Sequence, residues 1–195
     1  SSRLVEVSDE LIRLAEKSPD KSPSRDDEPY RRAMMGIYSL LVATAKALSH
    51  RVDHLRQLDE NAVPYPDPQS FVADLDVLID SLNRHHALAL ASGRLANLRR
   101  AAEVFGFHLA PLDMRQHSGV HEQVAGELMA VAGISDYVQQ DEKARRESLI
   151  KVLKQGNKLA ADSAKFSDTV QGELRIMQAA ADIHLSFGRS ALPNY

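Results

Sequence analysis

Phe105-Gly106-Phe107-His108-Leu109-Ala110-Pro111-Leu112-Asp113-Met114-Arg115-Gln116-His117-Ser118-Gly119-Val120-His121 is the stretch that decides the fold. It sets strand-forming chemistry and a run of polar groups inside a chain whose other periodicities are helical. Gly106 can end a helix in the left-handed conformation, which glycine adopts without a steric penalty. Phe107, Leu109 and Leu112 then supply apolar side chains for a short buried strand over residues 107–114, although Pro111 cannot donate to a ladder. The exit of that strand presents Asp113, Arg115 and Gln116, and Ser118 is expected to cap the next helix. An Arg between a strand and a helix N-terminus is well placed to bind a carboxylate or phosphate. Its guanidinium is a bidentate fork, and the helix end adds unpaired N–H donors.

Working outward, the remaining segments read as helices. Ser8 or Asp9 can cap a first helix reaching about Lys17, with Leu11, Ile12, Leu14 and Ala15 on its apolar face. Residues 18–27, Ser-Pro-Asp-Lys-Ser-Pro-Ser-Arg-Asp-Asp, are rich in Pro, Ser and charge and read as a mobile loop. A long outer helix follows, with Pro29 in its first turn and Met34, Ile37, Tyr38, Leu41, Ala45 and Leu48 near a 3.6-residue period. Asp67 caps and Pro68 opens another, whose stripe is Phe71, Leu75, Leu78, Ile79 and Leu82. Helices are further expected over about 92–104, 119–132, 142–154 and 168–187. No internal repeat supports a solenoid.

Composition narrows the function classes. A chain of 195 residues can bury about 70% of its unfolded surface, enough for a sizeable core. With 24 basic and 27 acidic residues, a formal charge of −3, 5% aromatics and no Trp, it lacks the signature of a nucleic-acid or anionic-membrane binder. The absence of Cys excludes disulfides, thiolate catalysis and zinc–thiolate sites, and fits a reducing cytoplasm. Without a signal-peptide pattern or an apolar run of about 18 residues, the sequence reads as soluble and cytoplasmic.

The run Phe-Gly-x-x-Leu-x-x-Leu-Asp-x-Arg-Gln-x-Ser-x-x-His resembles phosphoenolpyruvate carboxylase. Glu28-Pro29-Tyr30-Arg31-Arg32 resembles that family's Glu-Pro-Tyr-Arg helix start, and Ser92-Gly93-Arg94-Leu95-Ala96-Asn97-Leu98 its Gly-Arg-Leu-x-x-Leu helix. Leu192-Pro193-Asn194-Tyr195 resembles the approach to a later strand. The resemblance covers roughly residues 26–195. It implies a mainly α chain, its helices flanking one or two strands of an incomplete α/β barrel, and a single helical portion, 1–195, of a larger carboxylase. The implied chemistry joins phosphoenolpyruvate and bicarbonate to give oxaloacetate and phosphate with Mg²⁺ or Mn²⁺. Implied partners are those substrates, the remaining parts of the enzyme and further copies in a homo-oligomer, without nucleic acid or membrane.

By its match to the family's Asp-x-Arg-Gln motif, Arg115 resembles the catalytic, substrate-binding Arg that holds the phosphate of phosphoenolpyruvate. The alternative is an ion pair of Arg115 with Asp113 or another barrel carboxylate. Asp113 can orient Arg115 or serve as its structural partner. Gln116 and His121 match the family run and are expected in supporting roles, His121 through packing or hydrogen bonding in the first helical turn. The run departs from the common family pattern at His117, where an acid is frequent, and at Val120, where an Arg is frequent. No metal site is expected in this chain. His50/His54 and His117/His121 have i, i+4 spacing without an HExxH motif, and solvated or structural roles are expected for them. His85-His86 reads as a helix-end feature. Arg94, Arg99 and Arg100 are candidate anion contacts or solvated helix charges.

The family's catalytic His, metal-binding carboxylates, further phosphate-binding Args and glycine-rich loop have no counterpart in these residues. The expectation is therefore a part of the enzyme that is inactive in isolation. A non-catalytic helical scaffold or partner-binding module derived from the family is the second class. Unpartnered apolar helix faces are expected on the surface.

Overall fold

The computed structural model describes residues 6–48, 55–56, 59–156, 159 and 166–195. Its contacts divide the chain into two compact units, Ser1–Ala110 and Pro111–Tyr195.

The first unit is a helical cluster. Helix α1, Asp9–Glu16, starts where the Ser8 side chain accepts the Leu11 N–H, and it buries Leu11, Leu14 and Ala15. Residues 18–27 form an irregular connection containing a short 3₁₀ turn, Pro23–Arg25, and an ion pair between Arg25 and Asp20. The Arg25 hydrogen bond holds the Asp20 carboxyl below its usual range, and Ser18 in the same connection is fully buried. Helix α2, Pro29–Leu48, packs against α1 through Ala33 and Ile37, while Met34, expected on the buried stripe, is 53% exposed.

Helix α3, Pro68–Arg84, begins as its sequence dictates, with the Asp67 carboxylate accepting the Ser70 N–H at 2.6 Å and Pro68 in the first turn. It buries Phe71, Leu75 and Leu78, and also Ser81, a polar residue on an otherwise apolar stripe. Ser81 has a structural task. Its Oγ accepts the Ser8 N–H at 3.2 Å and lies 2.8 Å from the Tyr30 hydroxyl, tying the start of α1 and the first turn of α2 to α3. Thr44 has a similar task, since its Oγ1 donates to the Leu40 carbonyl and accepts the Tyr65 N–H, each at 2.8 Å. Tyr65 in turn donates to Asp74 at 2.7 Å, and burial together with that carboxylate pushes its phenol strongly upward.

The helix expected over 92–104 is broken at its start. A single turn, α4 (Leu88–Leu90), leads into a π turn, Ala91–Leu95, where Gly93 leaves helical geometry at φ −89° and ψ −130°; α5 (Ala96–Phe105) then packs on α3. Gly106 ends α5 at φ +54°, a value that favours glycine, and a Cβ there would lie 3.2 Å from Pro68 Cγ.

The strand expected over 107–114 does not form. Phe107 turns back to stack on Phe71, with ring centroids 6.4 Å apart, while Leu109 and Leu112 are 86% and 61% exposed. Among the described residues no sheet forms, and the expected barrel strands reduce to one parallel bridge between Asp113 and Asn194. The physical reason is that strand order is non-local: backbone groups need a neighbouring ladder, and Pro111 has no N–H to offer.

The second unit contains α6 (Ser118–Val131), α7 (Glu142–Gln155) and α8 (Asp168–Phe187), close to the spans read from the sequence. Asp141 and Ser167 cap α7 and α8. Met129, Tyr137 and Val152 make its small core. Glu127 on α6 accepts the Ser167 hydroxyl at 2.6 Å and the Ser167 N–H at 2.9 Å, and these bonds hold its carboxyl below the usual range.

Candidate functional site

The candidate site lies in the second unit, where the segment entering α6 runs beside the chain terminus at 191–195. Leu112 N–H donates to the Ala191 carbonyl at 2.9 Å and Met114 N–H to the Asn194 carbonyl at 3.1 Å. Donors two residues apart therefore face the same neighbour, as a strand's do. The His184 ring Nε2 lies 2.8 Å from the Leu192 carbonyl and so is the donor, anchoring the terminal segment to α8.

This backbone arrangement fixes the expected site residues in different ways. Asp113 accepts the Asn194 side-chain amide at 3.0 Å. Gln116 is held at both ends, donating through Nε2 to Glu173 on α8 at 2.7 Å and accepting the His117 N–H at 2.7 Å. His121, in the first turn of α6, bonds the Tyr195 hydroxyl through Nε2 at 3.1 Å, and the two rings meet edge to face at 5.4 Å. Arg115 is exposed, and among the described residues no hydrogen bond or ion pair engages it. Asp113 and Glu173, the two acids in this bonded network, are each held by a neutral amide rather than by the guanidinium. Among the described residues no carboxylate pairs with the Arg115 charge.

The cap of α6 differs from expectation. His117, not Ser118, is the N-cap: its Nδ1 accepts the Gly119 N–H at 3.0 Å, and Ser118 is the first helical residue. Gly119 makes room for this ring, since a Cβ at that position would lie 3.1 Å from His117 Nδ1. A ring nitrogen that accepts carries no proton, so the cap requires neutral His117 protonated at Nε2. The start of α6 thereby lies three residues after Arg115, with the partial positive charge of a helix N-terminus added to that of the guanidinium.

The other histidines and arginines divide clearly. His117 and His121 each spend a ring nitrogen on a hydrogen bond, whereas His50 and His54 lie outside the described residues. Among the described residues no group of three His, Asp or Glu side chains is arranged to hold a metal ion. His85 is the C-cap of α3, and His86 follows at φ +61°. Arg99 pairs with Asp76 at 2.5 Å and with Glu103 at 2.9 Å, while Arg94 and Arg100 are exposed.

Sequence reasoning left Glu173, Asn194 and Tyr195 without roles. Asn194 and Tyr195 stood in a recognisable motif, which was the available signal. Glu173 carried none, because it lies 57 residues from Gln116 on an ordinary amphipathic helix.

The profile of the phosphoenolpyruvate carboxylase family matches residues 1–195. The chain is 48% identical over 197 residues to a phosphoenolpyruvate carboxylase of Nitrosomonas europaea, covering 100% of this chain and 21% of that protein. It is 47% identical over 195 residues to one of Azoarcus sp. and 46% over 194 residues to one of Rhodopseudomonas palustris, in both cases spanning 21% of the relative. The chain therefore spans about one fifth of the length of these curated relatives, and along all of its own length it belongs to the phosphoenolpyruvate carboxylase family.

Proposed function

We propose that residues 1–195 are a helical portion of a phosphoenolpyruvate carboxylase, which joins phosphoenolpyruvate and bicarbonate to give oxaloacetate and phosphate, and that Arg115 binds the phosphate of phosphoenolpyruvate. The observation that carries this reading is the Arg115 guanidinium ahead of α6, which no described carboxylate pairs, in a network whose acids, Asp113 and Glu173, are held by Asn194 and Gln116. A phosphate dianion supplies the missing counter-charge, and the fixed fork can follow charge that moves as the phosphoryl group leaves. Asp113 and Gln116 support the backbone that carries Arg115, and His121 with Tyr195 pins the first turn of α6.

The parallel pairing of Asp113 with Asn194 supports a barrel reading. Parallel strands require a long crossover, usually helical, and α6, α7 and α8 supply one here. In such barrels functional groups collect at the C-terminal ends of strands, where Arg115 falls in this segment. Mg²⁺ or Mn²⁺ and the proton-transfer groups belong to other parts of the enzyme. We place the enzyme in the cytoplasm as a homo-oligomer; no described helix is long and apolar enough to cross a membrane.

A coupled assay of oxaloacetate formation, with phosphoenolpyruvate, bicarbonate and Mg²⁺ or Mn²⁺, tests the proposal. The full-length polypeptide is expected to turn over and the isolated 195-residue chain to show no activity. Robust turnover by the isolated chain, or none by the full-length protein, would overturn it.

A further inference from the structure

We propose that an apolar groove of about 920 Å³ in the first unit receives an amphipathic helix from the part of the carboxylase polypeptide outside residues 1–195. This inference rests on the reading of the chain as one portion of a larger enzyme. The groove has the form of a helix seat. One wall is Met34, Ile37 and Leu41 of α2, at spacing i, i+3, i+7, and the other is Leu75, Leu78 and Leu82 of α3, at the same spacing; Ile37, Leu75 and Leu78 are the buried floor of these walls, and Met34 stands exposed at the edge. Ridges of that periodicity accept a third helix through its own i, i+3, i+4, i+7 stripe. Each wall spans about two helical turns, roughly 10 Å, so the matching stripe holds three or four apolar residues.

Two further observations favour this occupant. Met34, Leu90 and Leu98 at the rim are 53%, 68% and 47% exposed and offer apolar surface for a partner to cover. About four fifths of the relatives' length lies outside the matched residues and is available to cover it. The mouth also carries Arg94, which no described residue pairs, and Arg31, which stands 3.4 Å from Glu28. The docking helix is therefore expected to flank its apolar stripe with Asp or Glu.

Met34→Cys and Leu98→Cys, each made separately, test this by maleimide labelling. The 195 residues contain no Cys, and mass spectrometry of the tagged peptide separates the new thiol from cysteines elsewhere in the full-length protein. Rates are normalised to the denatured protein and compared between the isolated chain and the full-length enzyme. Labelling at both positions should be at least about tenfold slower in the full-length enzyme, independent of protein concentration, which is the protection expected of a covered site. Equal rates would overturn the inference. So would protection that rises with concentration in the isolated chain, which indicates a second copy, or protection lost after stripping with a hydrophobic resin, which indicates a small apolar ligand. Carboxylase activity of the same samples separates the two readings. An active enzyme with fast labelling refutes the groove occupant alone, and an inactive one with slow labelling refutes the carboxylase reading alone.

Discussion

Ser81→Ala should destabilise the first unit far more than the loss of one hydroxyl on a helix would imply. Ser81 is 0% exposed, and its Oγ serves the buried Ser8 N–H at 3.2 Å and the part-buried Tyr30 hydroxyl at 2.8 Å. Alanine leaves the Ser8 N–H unsatisfied in the interior, which costs about 1–3 kcal/mol. The Tyr30 hydroxyl can turn to water, so its loss is nearer 0.5–1 kcal/mol, about the net worth of an ordinary hydrogen bond. Against this, Ala gains about 0.5 kcal/mol over Ser in a helix interior. The net loss is about 1–3.5 kcal/mol, a roughly 5- to 400-fold rise in the unfolded fraction. Hydrogen exchange read by mass spectrometry over Pro68–Arg84 measures it for that helix alone, which matters because the chain has two units. Adding Tyr30→Phe to Ser81→Ala should cost less than the sum of the single changes. A loss under about 0.3 kcal/mol, or strict additivity, would refute the account of Ser81 as the shared partner of Ser8 and Tyr30.

Two further outcomes are expected. Asn194→Ala frees the Asp113 carboxylate to pair with Arg115; an exposed pair is worth about 0.2–1 kcal/mol, so KM for phosphoenolpyruvate in the full-length enzyme should rise roughly 1.4- to 5-fold, and Asp113→Asn in the same background should reverse the rise. An unchanged KM would contradict that competition. The Asp67 carboxyl is held below its usual value by the Ser70 N–H, so its contribution to stability is complete above about pH 4 and lost as pH falls through the lower folded-state value. Asp67→Asn caps without titrating, so thermal melts at pH 7 and pH 3 should show a smaller acid loss for that variant than for wild type; equal losses would exclude Asp67 as a contributor.

The helices were legible because their signals are local. Ser8 and Asp67–Pro68 start α1 and α3 where their chemistry requires, and the apolar spacings of α1 and α3 select Leu11, Leu14, Phe71, Leu75 and Leu78 for burial. Ser81 was not legible as a core residue, since its reason for burial lies 73 residues away at Ser8 and 51 away at Tyr30. The strand over 107–114 failed on the same ground, because apolar content cannot supply a ladder partner. At the site, Arg115 was identifiable by its place ahead of a helix, but its freedom from Asp113 depends on Asn194, and no local pattern encodes that choice. The cap at His117 escaped because Ser is the commoner N-cap residue, while here the ring lies against a glycine two positions on.

The most direct test of the central claim is kcat/KM for phosphoenolpyruvate in the full-length enzyme carrying wild-type Arg115, Arg115→Lys or Arg115→Ala, with thermal stability measured on the same samples. A charge-assisted contact is worth about 1.5–3 kcal/mol, so Ala should lose roughly 10- to 150-fold with an unchanged melting temperature. Lys should recover only part, because it keeps the charge and loses the planar fork. Normal kinetics for Ala, or a loss that merely tracks unfolded protein, would contradict the assignment of Arg115 to the substrate phosphate.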